Sequence, residues 1–138
     1  MGATPIDLWA FEGRWAVSRE IADAKGADGR FDGAATFVRE GAGLRYVERG
    51  VLRLGTTEMQ AERRYMWTAG EGVEVWFDDG RFFHGFALGE TAEATHDCPP
   101  DWYEVSYDFR AWPEWESRWR VTGPRKDYVM TSMFVRAG

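Results

Sequence analysis

The sequence predicts an all-β fold, an antiparallel up-and-down barrel of about nine strands preceded by a short helical turn. Three observations lead there. Eight Trp, five Tyr and nine Phe stand against only 17 Leu, Ile and Val, and aromatic mass suits pleated strands better than Leu-rich helices. Turn signals such as Lys25-Gly26, Gly41-Ala42-Gly43, Gly55-Thr56, Asp79-Gly80, Pro99-Pro100 and Gly123-Pro124 cut the chain into segments of about 7 to 12 residues. Within those segments apolar and polar residues alternate, the pattern of strands with one buried face.

Length and charge set the outer limits. A chain of 138 residues is enough for one domain, expected over residues 1–138, that buries about two-thirds of its unfolded surface. The formal charge of −6 is too small for a disordered chain. It also disfavours nucleic acid and anionic lipid as partners. Cys98 is the single cysteine, so no internal disulfide forms and the expected location is cytoplasmic. Met1 to Leu8 contains Pro5 and Asp7 and lacks the basic start and apolar run of a leader peptide. No apolar run reaches membrane-spanning length.

The elements follow in order. A helical turn is expected from Pro5 to Phe11, then strands near residues 14–23, 30–40, 44–54, 58–68, 73–79, 81–88, 101–111, 115–122 and 126–136. On the first, Trp15, Val17, Arg19 and Ile21 share a face; on the second, Phe31, Gly33, Ala35 and Phe37 do. Leu44, Tyr46, Glu48, Gly50 and Leu52 line the third, opposite the stripe Arg45, Arg49 and Arg53. That stripe, with Arg64, reads as a solvated face paired with Glu40, Glu58 and Glu62. Ala61, Arg63, Tyr65 and Trp67 line the fourth.

Asp79-Gly80 reads as a type I′ turn, which sets Phe77 opposite Phe82, Val75 opposite His84 and Val73 opposite Phe86. His84 is then inward. The same arithmetic around the sheet groups Trp15, Phe37, Tyr46, Tyr65, Val75 and His84 in one layer. Val17, Ala35, Glu48, Arg63, Phe77 and Phe82 form the next, and Arg19, Gly33, Gly50 and Ala61 a third, with slips allowed for barrel shear. Large rings fill one end. At the other, glycine and alanine leave space, which a sandwich has little reason to do and a barrel with a one-ended cavity does.

Phe11-Glu12-Gly13-Arg14-Trp15, at the opening of the first strand, resembles the Gly-x-Trp start of lipocalin-like (calycin) barrels. Further runs, among them Tyr46-Val47-Glu48-Arg49-Gly50, Phe77-Asp78-Asp79-Gly80-Arg81-Phe82-Phe83-His84 and Trp119-Arg120-Val121-Thr122-Gly123-Pro124, extend the likeness over nearly the whole chain. Together they resemble a lipocalin-like family of unknown function found in bacteria and fungi. The resemblance implies a calycin-type barrel and no established activity. It also implies that Trp15 closes the barrel bottom beneath a basic residue from a late strand, either Arg125 or Arg136.

Candidate chemistry gathers inside. An inward carboxylate is costly unless paired, so Glu48 calls for a partner among Arg19 and Arg63. One reading makes Arg19, Tyr46, Glu48, Arg63, Tyr65 and His84 a ligand-binding set for a small anionic or aromatic molecule. The competing structural reading is an internal salt bridge that braces the barrel. An enzyme is a further alternative, since lipocalin-like barrels include phenolic acid decarboxylases: a lyase or isomerase in which burial raises the pKa of catalytic candidate Glu48, with Arg63, Tyr46 and Tyr65 holding the substrate. A protein-interaction domain with a filled interior is the third reading.

No cofactor and no metal are expected. His96 and Cys98, with His84, lack metal-ligand spacing, so Cys98 reads as a small buried residue and His96 as a loop cap. His84 reads as a core imidazole bonded to a tyrosine, with haem ligation as the competing reading. Trp112, Trp115 and Trp119 read as core, and Trp102 as a ring bordering the polar pocket. Gly123-Pro124-Arg125-Lys126 lacks the helix context of a phosphate cradle and reads as a tight turn. The expected partner is a small molecule, and the sequence is compatible with a homodimer.

Overall fold

The computed structural model describes residues 4–137. Residues 1–3, part of the segment read above as lacking a leader pattern, and residue 138, the last of the expected domain, lie outside the described residues. A 3-10 turn, Leu8–Phe11, leads into β1 (Gly13–Asp23), β2 (Gly29–Glu40), β3 (Gly43–Leu54), β4 (Thr57–Ala69) and β5 (Val73–Phe77). There follow β6 (Phe82–Phe86), β7 (Thr91–Cys98), β8 (Asp101–Asp108), β9 (Trp115–Thr122) and β10 (Asp127–Arg136). All ten pair antiparallel in one sheet of order β6-β5-β4-β3-β2-β1-β10-β9-β8-β7. The two edges, β6 and β7, lie side by side, so the sheet curls into a nearly closed barrel. No described helix is long and apolar enough to cross a membrane.

The strand absent from the sequence reading is β7. Its inward side carries Ala92, Ala94, His96 and Cys98 against Glu93, Thr95 and Asp97, so alternation is present but the apolar mass that marks a strand is not. His96 is therefore a half-buried strand residue, packed against Phe77, Phe83 and Tyr103, and not a loop cap. Cys98 is half-buried at the strand end.

One turn departs from expectation. Within this turn Gly80 takes a positive φ, 90°, but Asp79 does not, as no described non-glycine residue does, which excludes type I′. Instead Asp78, Asp79 and Gly80 form a three-residue loop, with the Phe77 amide donating to Arg81 at 2.8 Å and the Gly80 amide to Phe77 at 2.9 Å. The extra loop residue sets Trp76 opposite Phe82, and a bulge then restores Val75 opposite His84 and Val73 opposite Phe86. Two successive residues, Phe83 and His84, consequently both face inward. Phe82, expected in the core, is 45% exposed, whereas Phe83 is buried.

Elsewhere the layers slip by two residues. Arg19 stands opposite Phe31 rather than Gly33, and Val17 opposite Gly33. Tyr65 stands opposite Phe77 rather than Val75, and the Phe77 ring stacks on Phe83. The space expected beside Gly33 and Gly50 is occupied by Phe31. Its ring lies so close that a Cβ on either glycine would approach Phe31 Cζ to 2.8 or 2.7 Å. Glycine here admits an aromatic ring and a close approach of β2 to β3.

The opposite end closes as the Gly-x-Trp likeness implies. Trp15 is fully buried and its indole donates to the Phe11 carbonyl at 2.9 Å. Arg136, not Arg125, caps it: the guanidinium lies 4.0 Å from the ring and donates to the carbonyls of Glu12 and Ala10 at 2.7 and 2.6 Å. Phe11, Phe37, Trp67, Phe109 and Trp115 interlock above it, edge to face or tilted. Outside, the arginine stripe is a paired surface, with Arg45 to Glu40 at 2.6 Å, Arg53 to Glu58 at 3.0 Å, Arg64 to Glu62 at 3.0 Å, and Arg49 also bound to Glu62.

Phe31→Ala removes the ring that covers both glycines and carries Arg19. Urea denaturation is expected to show a loss of about 3–5 kcal/mol. A loss below about 1 kcal/mol would mean that the ring is not part of the packed interior.

Candidate functional site

Inside the barrel, one cavity is lined by all six residues singled out from the sequence, Arg19, Tyr46, Glu48, Arg63, Tyr65 and His84. Trp67, Tyr107, Trp115, Trp119 and Met130 complete most of the wall. About 30 Å³ of it is free to the centre of a water molecule, room for about two waters and not for a whole aromatic acid with the walls as they stand.

Strand pairing brings the charged groups together. Glu48 of β3 lies opposite Arg63 of β4, yet its partner is Arg19, two strands away on β1. Arg19 Nη1 and Nη2 donate to Glu48 Oε2 and Oε1 at 2.8 and 2.7 Å, a bidentate fork. Arg19 Nε donates to Ser132 Oγ of β10 at 2.6 Å, and the guanidinium lies over the Phe31 ring at 5.1 Å. The Tyr46 hydroxyl donates to Glu48 Oε1 at 2.6 Å. Glu48 is 1% exposed, and burial by itself would raise its pKa, but the hydrogen bonds and charge of Arg19, aided by Tyr46, lower it overall. The expectation of a raised Glu48 pKa is thereby corrected. Both oxygens accept hydrogen bonds, which favours the ionised form of this carboxylate.

Arg63 differs. Among the described residues it makes no ion pair; its Nη2 meets the thioether of Met130 at 3.6 Å, a weak acceptor. Its guanidinium lies 5.5 Å from the Trp119 ring. The side chain thus reaches from β4 across the lumen to β9 and β10, half-buried. Burial raises the pKa of the Tyr65 hydroxyl, with the charge and hydrogen bond of neighbouring Arg63 opposing. With Arg19 and Glu48 cancelling, the interior keeps one positive charge.

The deeper wall is neutral. His84 is buried and its Nε2 lies 2.8 Å from the Tyr107 hydroxyl, so the core imidazole bonded to a tyrosine is present. Burial first, and the charge of His96 second, lower its pKa to about 3. Its Nδ1 and the indole nitrogen of Trp115 have no hydrogen-bond partner among the described residues. Tyr107, Trp115, Met130 and Ser132 were not singled out as site residues. Alternation along Tyr103, Val105, Tyr107 and along Trp115, Ser117, Trp119 signals that they face inward, but nothing in that pattern separates a lining ring from a packed one. Trp102, expected at the pocket, is 41% exposed and lies outside it. Among the described residues no three His, Cys, Asp or Glu side chains converge as metal ligands.

Histidine neutrality has a consequence in acid. Between about 3 and the ordinary value of 6.5, the unfolded chain binds a proton at His84 that the folded chain refuses, so stability rises with pH across that window and is lost as pH falls. The depressed Glu48 carboxyl acts in the same direction at lower pH. Urea midpoints are expected to fall steadily from pH 7 to pH 4.5, with a shallower fall in His84→Gln. Equal slopes for the two proteins would contradict a buried neutral imidazole.

Comparison with known proteins agrees with the architecture. The S-type phycobiliprotein lyase CPES from Guillardia theta superposes with a TM-score of 0.65 at 10% identity, over 92% of this chain and 88% of that one. At that identity the likeness shows the fold, a lipocalin-like barrel. No curated protein matches the sequence. Residues 11–136 match DUF6314, a family of unknown function, and the chain belongs to that family.

Proposed function

We propose that the barrel binds a small planar monoanion, such as an aromatic carboxylate, with its acid group on Arg63. The observation that carries this reading is the pairing pattern inside the barrel: Arg19 and Glu48 satisfy each other, while Arg63 faces the same cavity without a carboxylate partner, held by the Met130 thioether, the Trp119 face and the Tyr65 hydroxyl. A guanidinium held so weakly is displaced at low cost, and a carboxylate offers it a charge-assisted bidentate bond. The surrounding rings of Tyr65, Trp67 and Trp119 suit a flat ligand.

Access requires Arg63 and Trp119 to turn outward, because the free space is smaller than the ligand. Because Arg19 and Glu48 cancel each other, a second anionic group on the ligand would be buried without a counter-charge, which favours a monoanion. The structural likeness to a phycobiliprotein lyase is consistent with a barrel of this kind serving a small molecule. Ligand binding by the six sequence-derived residues is then divided: Arg63, Tyr65 and His84 face the ligand, while Arg19, Tyr46 and Glu48 hold the wall in shape.

Benzoate and phthalate test this through quenching of tryptophan fluorescence. Saturable binding of benzoate is expected, with phthalate weaker. Arg63→Met is expected to lower benzoate affinity about tenfold or more while urea stability changes by less than about 1 kcal/mol. Unchanged affinity in Arg63→Met, or no saturation by benzoate, would overturn the reading.

A further inference from the structure

Below Arg63 the cavity wall poses a hydrogen-bonding problem with one economical solution. The neutral His84 imidazole carries one proton on one of two nitrogens. If that proton is on Nε2, it points at the Tyr107 oxygen 2.8 Å away. The Tyr107 proton then has no acceptor, since this hydroxyl has no other partner among the described residues, and the Nδ1 lone pair has no donor. Two buried groups are unsatisfied. If the proton is on Nδ1, Tyr107 donates to Nε2, and only the Nδ1 proton is left without a partner. An unmet buried polar group costs about 1–3 kcal/mol, so the second arrangement wins. Trp115, on the facing strand β9, adds an indole N–H that is likewise buried and unpartnered, and indole nitrogen can only donate.

We propose that His84, oriented by Tyr107, and Trp115 form a neutral subsite that presents only N–H donors and receives an uncharged acceptor of the ligand, such as a carbonyl oxygen. This inference rests on the reading of the cavity as a ligand site and adds a second anchor to it. Both residues are 2% exposed and belong to the wall of the same cavity as half-buried Arg63, so the neutral anchor is the deeper one, and because both nitrogens are closed off from the free space an acceptor reaches them only as the wall opens. An anion is the wrong occupant at this depth. Neither imidazole nor indole carries the full charge that would offset its desolvation. Trp115 is rigidly held, its ring stacked on Phe134 at 3.8 Å, so its N–H is fixed before any ligand arrives. The ligand class is therefore a flat monocarboxylate with a neutral oxygen or nitrogen acceptor at the far end from its acid.

Two measurements test the subsite. Long-range proton–nitrogen NMR of ¹⁵N-histidine protein without ligand, at pH 7, is expected to show His84 protonated on Nδ1; protonation on Nε2 overturns the donor-only wall. The isosteric pair 4-acetylbenzoate and 4-isopropenylbenzoate, which differ by carbonyl oxygen against methylene, then reads the acceptor. The acetyl acid is expected to bind about tenfold more tightly, with the preference abolished in Trp115→Phe. Equal affinities for the wild-type protein overturn the subsite, as does a preference that survives in a folded Trp115→Phe. If Trp115→Phe does not fold, the wild-type ratio decides by itself, a tenfold preference supporting the subsite and equal affinities overturning it. Failure of the Arg63 reading looks different, since neither acid then binds.

Discussion

Taking a carboxylate out of water into the middle of a barrel costs several kcal/mol, and the fork from Arg19 to Glu48 offsets that cost. Much of the interior is arranged by this one pair. Glu48 sits on β3 and Arg19 on β1, with β2 between them, so the fork spans a strand and ties β1 to β3 on the inner face. Ser132 extends the tie to β10 and Tyr46 adds a donor from β3. Phe31 supplies the face on which the guanidinium rests, and Gly33 with Gly50 supplies the room for Phe31. With Glu48 turned to Arg19, Arg63 is left without an ion-pair partner, and the brace and the unbalanced charge have one cause.

Aromatic residues divide into two jobs around that brace. Toward Trp15 they interlock completely, with Arg136 closing the base through cation–π contact and two carbonyl bonds. Toward Arg63 they are spaced more loosely, Tyr65 and Trp119 half-buried and edge-on to one another. Rigidity at one end and looser packing at the other let the barrel keep its shape while side chains at the cavity move.

Much of this was legible in the residues. Alternation placed Arg19, Tyr46, Glu48, Arg63 and Tyr65 inward and the hairpin register placed His84, and all six line one cavity. Val75 and His84 pair as the hairpin arithmetic requires, although for a different reason: a longer turn and a bulge cancel. That cancellation hides Phe83, since no count of residues shows where an extra one is inserted. β7 escaped notice because Ala, Thr and Glu alternate without apolar weight. Shear also defeats simple layering, as the two-residue slips at β1–β2 and β4–β5 show. The ionisation of Glu48 was the least legible feature. Inward placement suggests a raised pKa, and only the position of Arg19 shows that its charge and hydrogen bonds prevail over burial.

The most direct test of the central claim is the response of the two interior guanidinium groups to a bound acid. Arginine side-chain Nε–Hε resonances, assigned for Arg19 and Arg63 by Lys substitution at each, are followed during a benzoate titration. The structure predicts that the Arg63 resonance shifts saturably while that of Arg19 stays in place on Glu48. Movement of Arg19 with Arg63 unaffected would contradict it, showing that the brace, and not the free cation, meets the ligand.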